Sequence, residues 1–429
     1  MPSAAALGYT LVFARLRDIV KVRLTLLAAS LLVAACATPP NPAPIVAPEA
    51  PASAPAVDVP PPEQPASAPV TAPVAPPRPV TRPVQPPAAI SESQGRALLD
   101  RLLPPGIPDR RGWSNDVMGA FSHLKIPYTP QFFCAALAVA EQESGFSPDP
   151  VVPGLSKIVW GEIEQRRQKY LIPQFVVDAA MSKASPDGRS FKQRVDALRT
   201  KREMNALYED MVRELPFGQT IFEHKNPIRD GGPMQVSVAF AETHVRAWPY
   251  PYNYSSLRDE VFTRRGSVYF GTAILLQYPA PYHEMVYRFA DYNAGRYASR
   301  NAAFQQAVSR LSGRKLALDG DIMLYSDKMN RVLSGQTSDT QRALQAIAGR
   351  LGISDADMMR DLRLEKLSGF GQSLLYQKVF ALAGPKAPRE IIPQIVLVSP
   401  KFTHKLTTEW FARRVDGRYQ RCLARGGAN

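Results

Sequence analysis

The sequence predicts a mainly α-helical protein that is preceded by a long proline-rich linker. From about Ile90 onward the composition is that of a globular core, and apolar residues recur at the three- and four-residue spacings of helices. Upstream, residues 39–87 consist mainly of Pro, Ala and Val, with almost no large apolar side chains. Such a stretch cannot bury a core, so we expect it to be disordered and extended.

The N-terminal residues have the layout of an export signal. Basic residues between 15 and 23 precede an apolar stretch, 24–35, that ends in Leu-Val-Ala-Ala before Cys36. These residues resemble a bacterial lipobox, which implies a signal peptide over 1–35 and lipidation of Cys36. Ala37 is not the aspartate associated with inner-membrane retention, so the resemblance implies a lipid anchor in the outer membrane, on its periplasmic face. A plain signal peptide or an ordinary apolar helix are the alternatives.

Residues 36–89 are expected to act as a flexible spacer between this anchor and the folded part. At about 3.1 Å per residue, an extended stretch of this length reaches on the order of 150 Å.

The charge indicates an anionic partner. The chain has 429 residues, with 52 Lys and Arg against 38 Asp and Glu, a formal net charge of +14. This excess favours an acidic polymer or an anionic surface through long-range attraction. No nucleic-acid-binding module or tight run of basic residues is present, so no nucleic acid partner is predicted.

Seven segments have the apolar periodicity of amphipathic or buried helices. They are 132–144, 201–214, 266–278, 281–292, 301–311, 339–351 and 406–423. The apolar run 391–398 fits either a strand or a loop, since Pro393 weakens the case for a strand.

Three short segments carry the candidate chemistry. They are Glu-Gln-Glu-Ser-Gly-Phe at 141–146, Gly-Gly-Pro-Met-Gln at 231–235 and Asp-Tyr-Asn-Ala-Gly at 291–295. Together and in this order they resemble the soluble lytic transglycosylase family of the lysozyme superfamily. That family has a Glu-Ser pair, a Gly-x-Met-Gln loop and a Tyr-Asn-Ala-Gly helix end. The resemblance covers about 131–311 and implies a lysozyme-like helical fold that acts on peptidoglycan glycan strands.

The resemblance assigns catalysis to Glu143, because the family's catalytic glutamate directly precedes the serine. Helical spacing places Glu143 on one face with Phe132, Ala136 and Val139, and a carboxyl group that borders apolar packing is easier to keep protonated. Glu141 has comparable neighbours, so helix geometry alone leaves the choice between the two glutamates open.

By the same resemblance, five residues bind the sugar chain: Ser144, Met234, Gln235, Tyr292 and Asn293. A tyrosine ring suits the apolar face of a sugar, and an amide suits acetamido groups. Gly231 and Gly232 allow a tight turn and close approach of a ligand, while Gly295 is placed to end a helix.

The chain departs from the family in the distance between its first two motifs. Glu143 and Gly232 are 89 positions apart, so 155–225 is interpreted as a helical insertion in a catalytic domain over 90–315. Its Trp160, Tyr208 and basic residues, which include Lys201, fit a wall of the glycan groove, a partner surface or a merely structural insertion. Residues 316–429 are expected to form a helical extension packed on that domain.

The sequence leaves three interpretations of the function open. In the resembling family one glutamate protonates the glycosidic oxygen and then takes the proton of the muramic C6 hydroxyl, which closes an anhydro ring. A hydrolase with Asp149 or Asp230 as second carboxylate, and a non-catalytic wall-binding or scaffold lipoprotein, are the alternatives.

No cofactor or metal is implied by the sequence. The pair at 283–284 lacks the second histidine of a zinc-protease helix, and no Cys/His cluster occurs. Cys134 lies in an apolar run and fits a buried thiol, or a disulfide with Cys422 in an oxidising compartment.

Overall fold

The computed structural model describes residues 90–214, 226–325, 332–333, 335–397 and 406–427. The predicted signal peptide, Cys36 and the linker lie outside these residues. The described part is mainly helical, as the sequence predicts, with sixteen α-helices, one 3-10 helix and four two-residue strands.

The helices are, in chain order, α1 (Glu92–Leu102), α2 (Arg110–Leu124), α3 (Pro130–Ser144), α4 (Leu155–Lys169), α5 (Gln174–Ser182), α6 (Phe191–Asp196), α7 (Lys201–Arg213), α8 (Val238–Ala247), α9 (Leu257–Phe262), α10 (Arg264–Leu276), α11 (Met285–Ala294), α12 (Ala298–Ser312), α13 (Asp339–Leu351), α14 (Asp355–Leu362), α15 (Leu374–Ala383) and α16 (Thr408–Arg425). The 3-10 helix is Ser368–Gln372. Each of the seven predicted helical segments overlaps one of these helices.

The strands form two small antiparallel pairs. β1 (Asp230–Gly231) pairs with β2 (Val236–Ser237), and β3 (Val396–Leu397) pairs with β4 (Leu406–Thr407). The run that fitted either a strand or a loop therefore has strand structure only at β3, within its described residues.

Helix α3 is the central element of the largest core. Thr129 caps its N-terminus by accepting from the Phe132 N–H, Pro130 occupies its first turn, and Gly145 ends it in a left-handed conformation with φ +59°. Most of its side chains between these ends are buried among α1, α10 and α16. The motif glutamates therefore lie at the end of a helix that packing holds on several sides.

The C-terminal helix α16 returns to this same core. It packs against α3 and α11, and a disulfide joins its Cys422 to Cys134 of α3. Both cysteines are buried. Of the two alternatives for Cys134, the structure contains the disulfide.

Two smaller cores accompany the main one. The first joins α12 to α13, α14 and α15 around Phe304, Phe370 and Phe380. The second lies within the segment interpreted as an insertion, where Leu155, Phe191 and other apolar residues of α4 to α7 pack together. The cores do not follow the domain boundary expected at 315. Helix α12, which precedes that boundary, packs with the residues that follow it, whereas α16 belongs to the core that contains α3.

Across the described ranges, we find no helix that combines the length and the apolar character needed to cross a bilayer.

Candidate functional site

Glu143 lies in the last turn of α3 and is partly buried. The next residue, Ser144, donates its hydroxyl hydrogen to the Ala140 carbonyl oxygen at 2.9 Å. This bond within the helix turns the serine side chain back onto its own backbone. The Ser144 hydroxyl could therefore meet a ligand only as an acceptor, and its expected role in substrate binding stays a prediction.

Glu141 is occupied by ion pairs with α16. Its Oε1 lies 3.3 Å from Arg421 Nη2 and 3.6 Å from Arg418 Nε. These contacts tie Glu141 to the C-terminal helix, whereas the charge of Glu143 acts on Tyr292 of α11. The two glutamates therefore have different surroundings in the structure, although helix spacing alone did not distinguish them.

The glycine-rich turn at 231–235 is seated tightly on α9 and α10. A Cβ atom on Gly232 would lie 2.5 Å from Ser267 Cβ and 2.6 Å from the Val261 carbonyl oxygen, and φ at this glycine is +68°. The Ser267 hydroxyl accepts the Met234 N–H at 2.9 Å. Only glycine fits at position 232, so this turn has little freedom to move away from α10.

Met234 is a packing residue. Its side chain is buried against α10, where a Cβ on Gly271 would meet the methionine Sδ at 2.7 Å. The expectation that Met234 lines a sugar groove is therefore corrected, since the side chain fills a space that Gly271 leaves open.

Gln235 is held by the segment interpreted as an insertion. Its side-chain Nε2 donates to the Gly232 carbonyl oxygen at 2.9 Å, and its Oε1 accepts from Lys201 Nζ at 2.8 Å. Lys201 also forms an ion pair with Asp230, the residue before Gly231. Gln235 has φ +51°, a conformation that is rare for residues with a side chain and that clusters at functional sites.

Tyr292 joins the three motifs. Its hydroxyl donates to the Met234 carbonyl oxygen at 2.6 Å. Burial, and secondly the nearby Glu143 carboxylate, raise the pKa of Tyr292 well above 10, so the phenol stays a hydrogen-bond donor. Tyr292 of α11 is thus hydrogen-bonded to the backbone of the 231–235 turn and lies within the electrostatic influence of Glu143 on α3.

Asn293 contacts the C-terminal helix. Its Oδ1 accepts the hydroxyl hydrogen of Thr408, the first residue of α16, at 2.9 Å. Thr408 is fully buried. The amide oxygen of Asn293 is therefore held by α16, which leaves its NH₂ group as the part that suits an acetamido group.

Asp291, which sequence reasoning passed over, organises the turn after α11. The buried carboxylate accepts the hydroxyls of Tyr278 and Tyr282 at 3.1 and 2.7 Å, and the backbone N–H groups of Tyr297 and Ser299, both at 2.7 Å. Burial raises the pKa of Asp291 to about 6 against the effect of these hydrogen bonds. No periodicity signals such a role, because its four donors lie outside α11, in the segment before it and at the start of α12.

The two aspartates considered as a second carboxylate both contact residues at the start of α7. Asp230 is paired with Lys201, and Asp149 is hydrogen-bonded to Thr200, the N-cap residue of α7. Burial raises the pKa of Asp149.

The chemistry available to this cluster is that of acid–base catalysis. Within the described ranges no group of three or more His, Cys, Asp or Glu side chains could hold a metal ion. Glu143 is a partly buried carboxyl group whose charge acts on Tyr292, Asn293 follows Tyr292 on α11, and Gln235 lies in the turn to which Tyr292 donates.

If the site cleaves glycan strands, as the family resemblance implies, Lys201→Met should lower that cleavage about tenfold, because Gln235 and Asp230 lose their shared partner and the turn that carries them shifts. The partly buried Asp230 would also lose its counter-ion, which should lower the free energy of unfolding by about 1 kcal/mol or more. Cleavage rates and urea unfolding measure the two effects.

The matched control for this change is Lys192→Met. Lys192 pairs with Asp196 on α6, and both side chains are largely exposed, so its loss should leave both rate and stability nearly unchanged. Equal behaviour of the two variants would contradict a positioning role for Lys201.

Comparison with known proteins gives a family but no activity. A family model described as "Protein of unknown function (DUF1615)" matches residues 106–425. The chain is similar to "Uncharacterized protein YaiW" of Escherichia coli strain K12, with 46% identity over 325 residues, which are 75% of this chain and 87% of that protein. No solved structure matches significantly. The matched region contains all three motifs, α4 to α7 and α16.

Proposed function

The chain belongs to the DUF1615 family, and we propose that it is a peptidoglycan lytic transglycosylase with a lysozyme-like catalytic fold. It would cleave the β-1,4 bond between N-acetylmuramic acid and N-acetylglucosamine and leave a 1,6-anhydro ring on the muramic sugar. Glu143 would be its catalytic residue.

The interactions of Tyr292 with the two other motifs carry this proposal. Tyr292 donates to the backbone of Met234, and the Glu143 charge acts on the same tyrosine. Glu143 and Tyr292 are 149 positions apart, with 89 of these between Glu143 and Gly232. Residues that resemble a family's site only by chance would have no reason to converge across such distances.

The proposed reaction needs one acid–base group. Protonated Glu143 donates to the glycosidic oxygen, the bond from that oxygen to C1 of the muramic sugar breaks, and the ionised carboxylate then takes the C6 hydroxyl proton as O6 bonds to C1. The proton returns to Glu143, so no water is consumed. Because the attacking hydroxyl belongs to the same sugar, proximity replaces an external nucleophile.

The remaining side chains would hold the glycan in place. The Asn293 NH₂ group suits the carbonyl oxygen of an N-acetyl group, and the Tyr292 ring suits the apolar face of a sugar. Gln235 is fixed by Lys201, so it would present a preorganised contact.

We further propose that the protein is exported and tethered to the outer membrane by lipid at Cys36. The disulfide between Cys134 and Cys422 supports export, since disulfides persist in oxidising compartments such as the periplasm. The extended linker would then let the catalytic part reach the peptidoglycan layer from the membrane.

The test is a digest of purified sacculi by the chain from residue 37 onward, with products identified by mass spectrometry. This chain retains all three cores, which lie between Leu99 and Cys422. Anhydromuropeptides are the expected product. Muropeptides with reducing ends would instead assign a hydrolase, and intact sacculi that carry the protein down on centrifugation would assign a non-catalytic wall-binding protein.

A further inference from the structure

Large apolar side chains are exposed in the turn between α4 and α5 and in the first turn of α5. Leu171 is 88% exposed, Phe175 is 72% exposed and Val176 is 43% exposed. In α5, Met181 is the sole buried residue. Large apolar residues are seldom exposed to this degree together, and such patches usually mark a site of interaction. We call Leu171, Phe175 and Val176 the apolar tip.

The backbone of the turn holds Leu171 in an unfavourable conformation. Its φ is +53°, in the left-handed region where glycine is normally found. The Leu171 N–H donates to the Gln168 carbonyl oxygen at 3.2 Å, and the Ile172 N–H donates to that of Arg167 at 2.9 Å. These two hydrogen bonds are the pair that ends a helix in the Schellman motif, where glycine is usual. Leucine at this position strains the backbone, and its exposed side chain gains no packing in return.

Basic residues precede the apolar tip along the chain, and one more follows at the far end of α5. Arg166, Arg167 and Lys169 lie in the last turn of α4, and Lys183 follows α5. The two arginines pair with Glu162 and Glu164. Lys169 and Lys183 are exposed, and the described residues provide no salt bridge to either.

The acidic side chains nearby are paired within their own helices. Glu162 and Glu164 are engaged by arginines of their own helix. Asp178, on α5, accepts from Gln174 of the same helix. Lys169, two positions before Leu171, is therefore an exposed cation next to the apolar tip, and Lys183 is a second one at the C-terminal end of α5.

We propose that the apolar tip binds the surface of an anionic lipid bilayer, with Leu171 and Phe175 inserted below the headgroups and Lys169 against them. Apolar side chains with a basic rim have the composition that interfacial binding requires. A second copy of the chain fits less well, because three side chains provide far less than the roughly 800 Å² per partner of a stable interface. The proposal does not depend on glycan cleavage.

The experiment measures cosedimentation with vesicles of phosphatidylethanolamine and phosphatidylglycerol. It uses the chain from residue 37 onward, which lacks the cysteine predicted to be lipidated. The chain should bind these vesicles, and bind phosphatidylcholine vesicles more weakly. Leu171→Asn should weaken binding about tenfold. The same change should leave the melting temperature unchanged or raise it, because asparagine tolerates the left-handed conformation better than leucine.

Leu374→Asn is the matched control. Leu374 is 46% exposed at the start of α15, outside the apolar tip, so its replacement should not affect vesicle binding. Absence of vesicle binding by the unmodified chain would overturn the proposal, as would equal binding by Leu171→Asn. Self-association that Leu171→Asn abolishes, seen by sedimentation velocity without lipid, would also overturn it and assign the tip to a second copy.

Discussion

Glu143→Gln is expected to lower the rate of anhydromuropeptide release by about a thousandfold while the protein stays folded. Glutamine has nearly the shape of glutamate but can neither donate a proton to the glycosidic oxygen nor accept one from the C6 hydroxyl. General acid–base catalysis contributes about 10² to 10⁴ to a rate, and the proposed reaction uses the same group in both directions. The measurement is the initial rate of sacculus digestion, with circular dichroism as the check on folding.

Glu141→Gln is the matched control, because it makes the same chemical change two residues earlier on α3. Glu141 pairs with Arg418 and Arg421 of α16, and its side chain is 28% exposed. We therefore expect a loss of stability of less than about 1 kcal/mol and an unchanged rate. If Glu141→Gln abolished cleavage and Glu143→Gln did not, the assignment of the catalytic residue would be wrong.

The helices of this protein are predictable from the sequence because their apolar residues and their caps agree. In α13 the observed bounds equal the predicted ones, since Ser338 and Gln341 form a capping box at one end and Gly352 ends the helix at the other. The grouping of helices into cores is not predictable in this way. Nothing in the periodicity of α16 indicates that it packs beside α3, nearly three hundred positions earlier.

The candidate site was predictable as a set of motifs but not as a set of side-chain directions. Motif order selected Glu143, and the ion pairs of Glu141 are consistent with that choice. The motif did not show that the Ser144 hydroxyl donates to its own helix. Nor did it show that Met234 is buried in the space that Gly271 leaves open on another helix. Lys201 could only be named among the basic residues of its segment, since its contact with Gln235 depends on tertiary packing.

Removing the disulfide should produce a large loss of stability. Cys134→Ala combined with Cys422→Ala opens a covalent loop with a sequence separation of 288. The closed loop limits the unfolded chain, so its loss should lower the free energy of unfolding by about 4 kcal/mol. The melting temperature should fall by roughly 10 °C. Urea and thermal unfolding under non-reducing conditions measure both quantities.

The same variant separates stability from the organisation of the site. The disulfide lies near the C-terminal end of α16, whereas Thr408, at its first residue, holds Asn293. Eighteen helical residues span about 27 Å, so the two attachments are far apart along the helix. Well below its melting temperature the double alanine variant should therefore keep its rate of glycan cleavage. A variant that is as stable as the unmodified protein would show that the two cysteines are not bonded in solution, and a stable variant that has lost cleavage would place the disulfide within the support of the site.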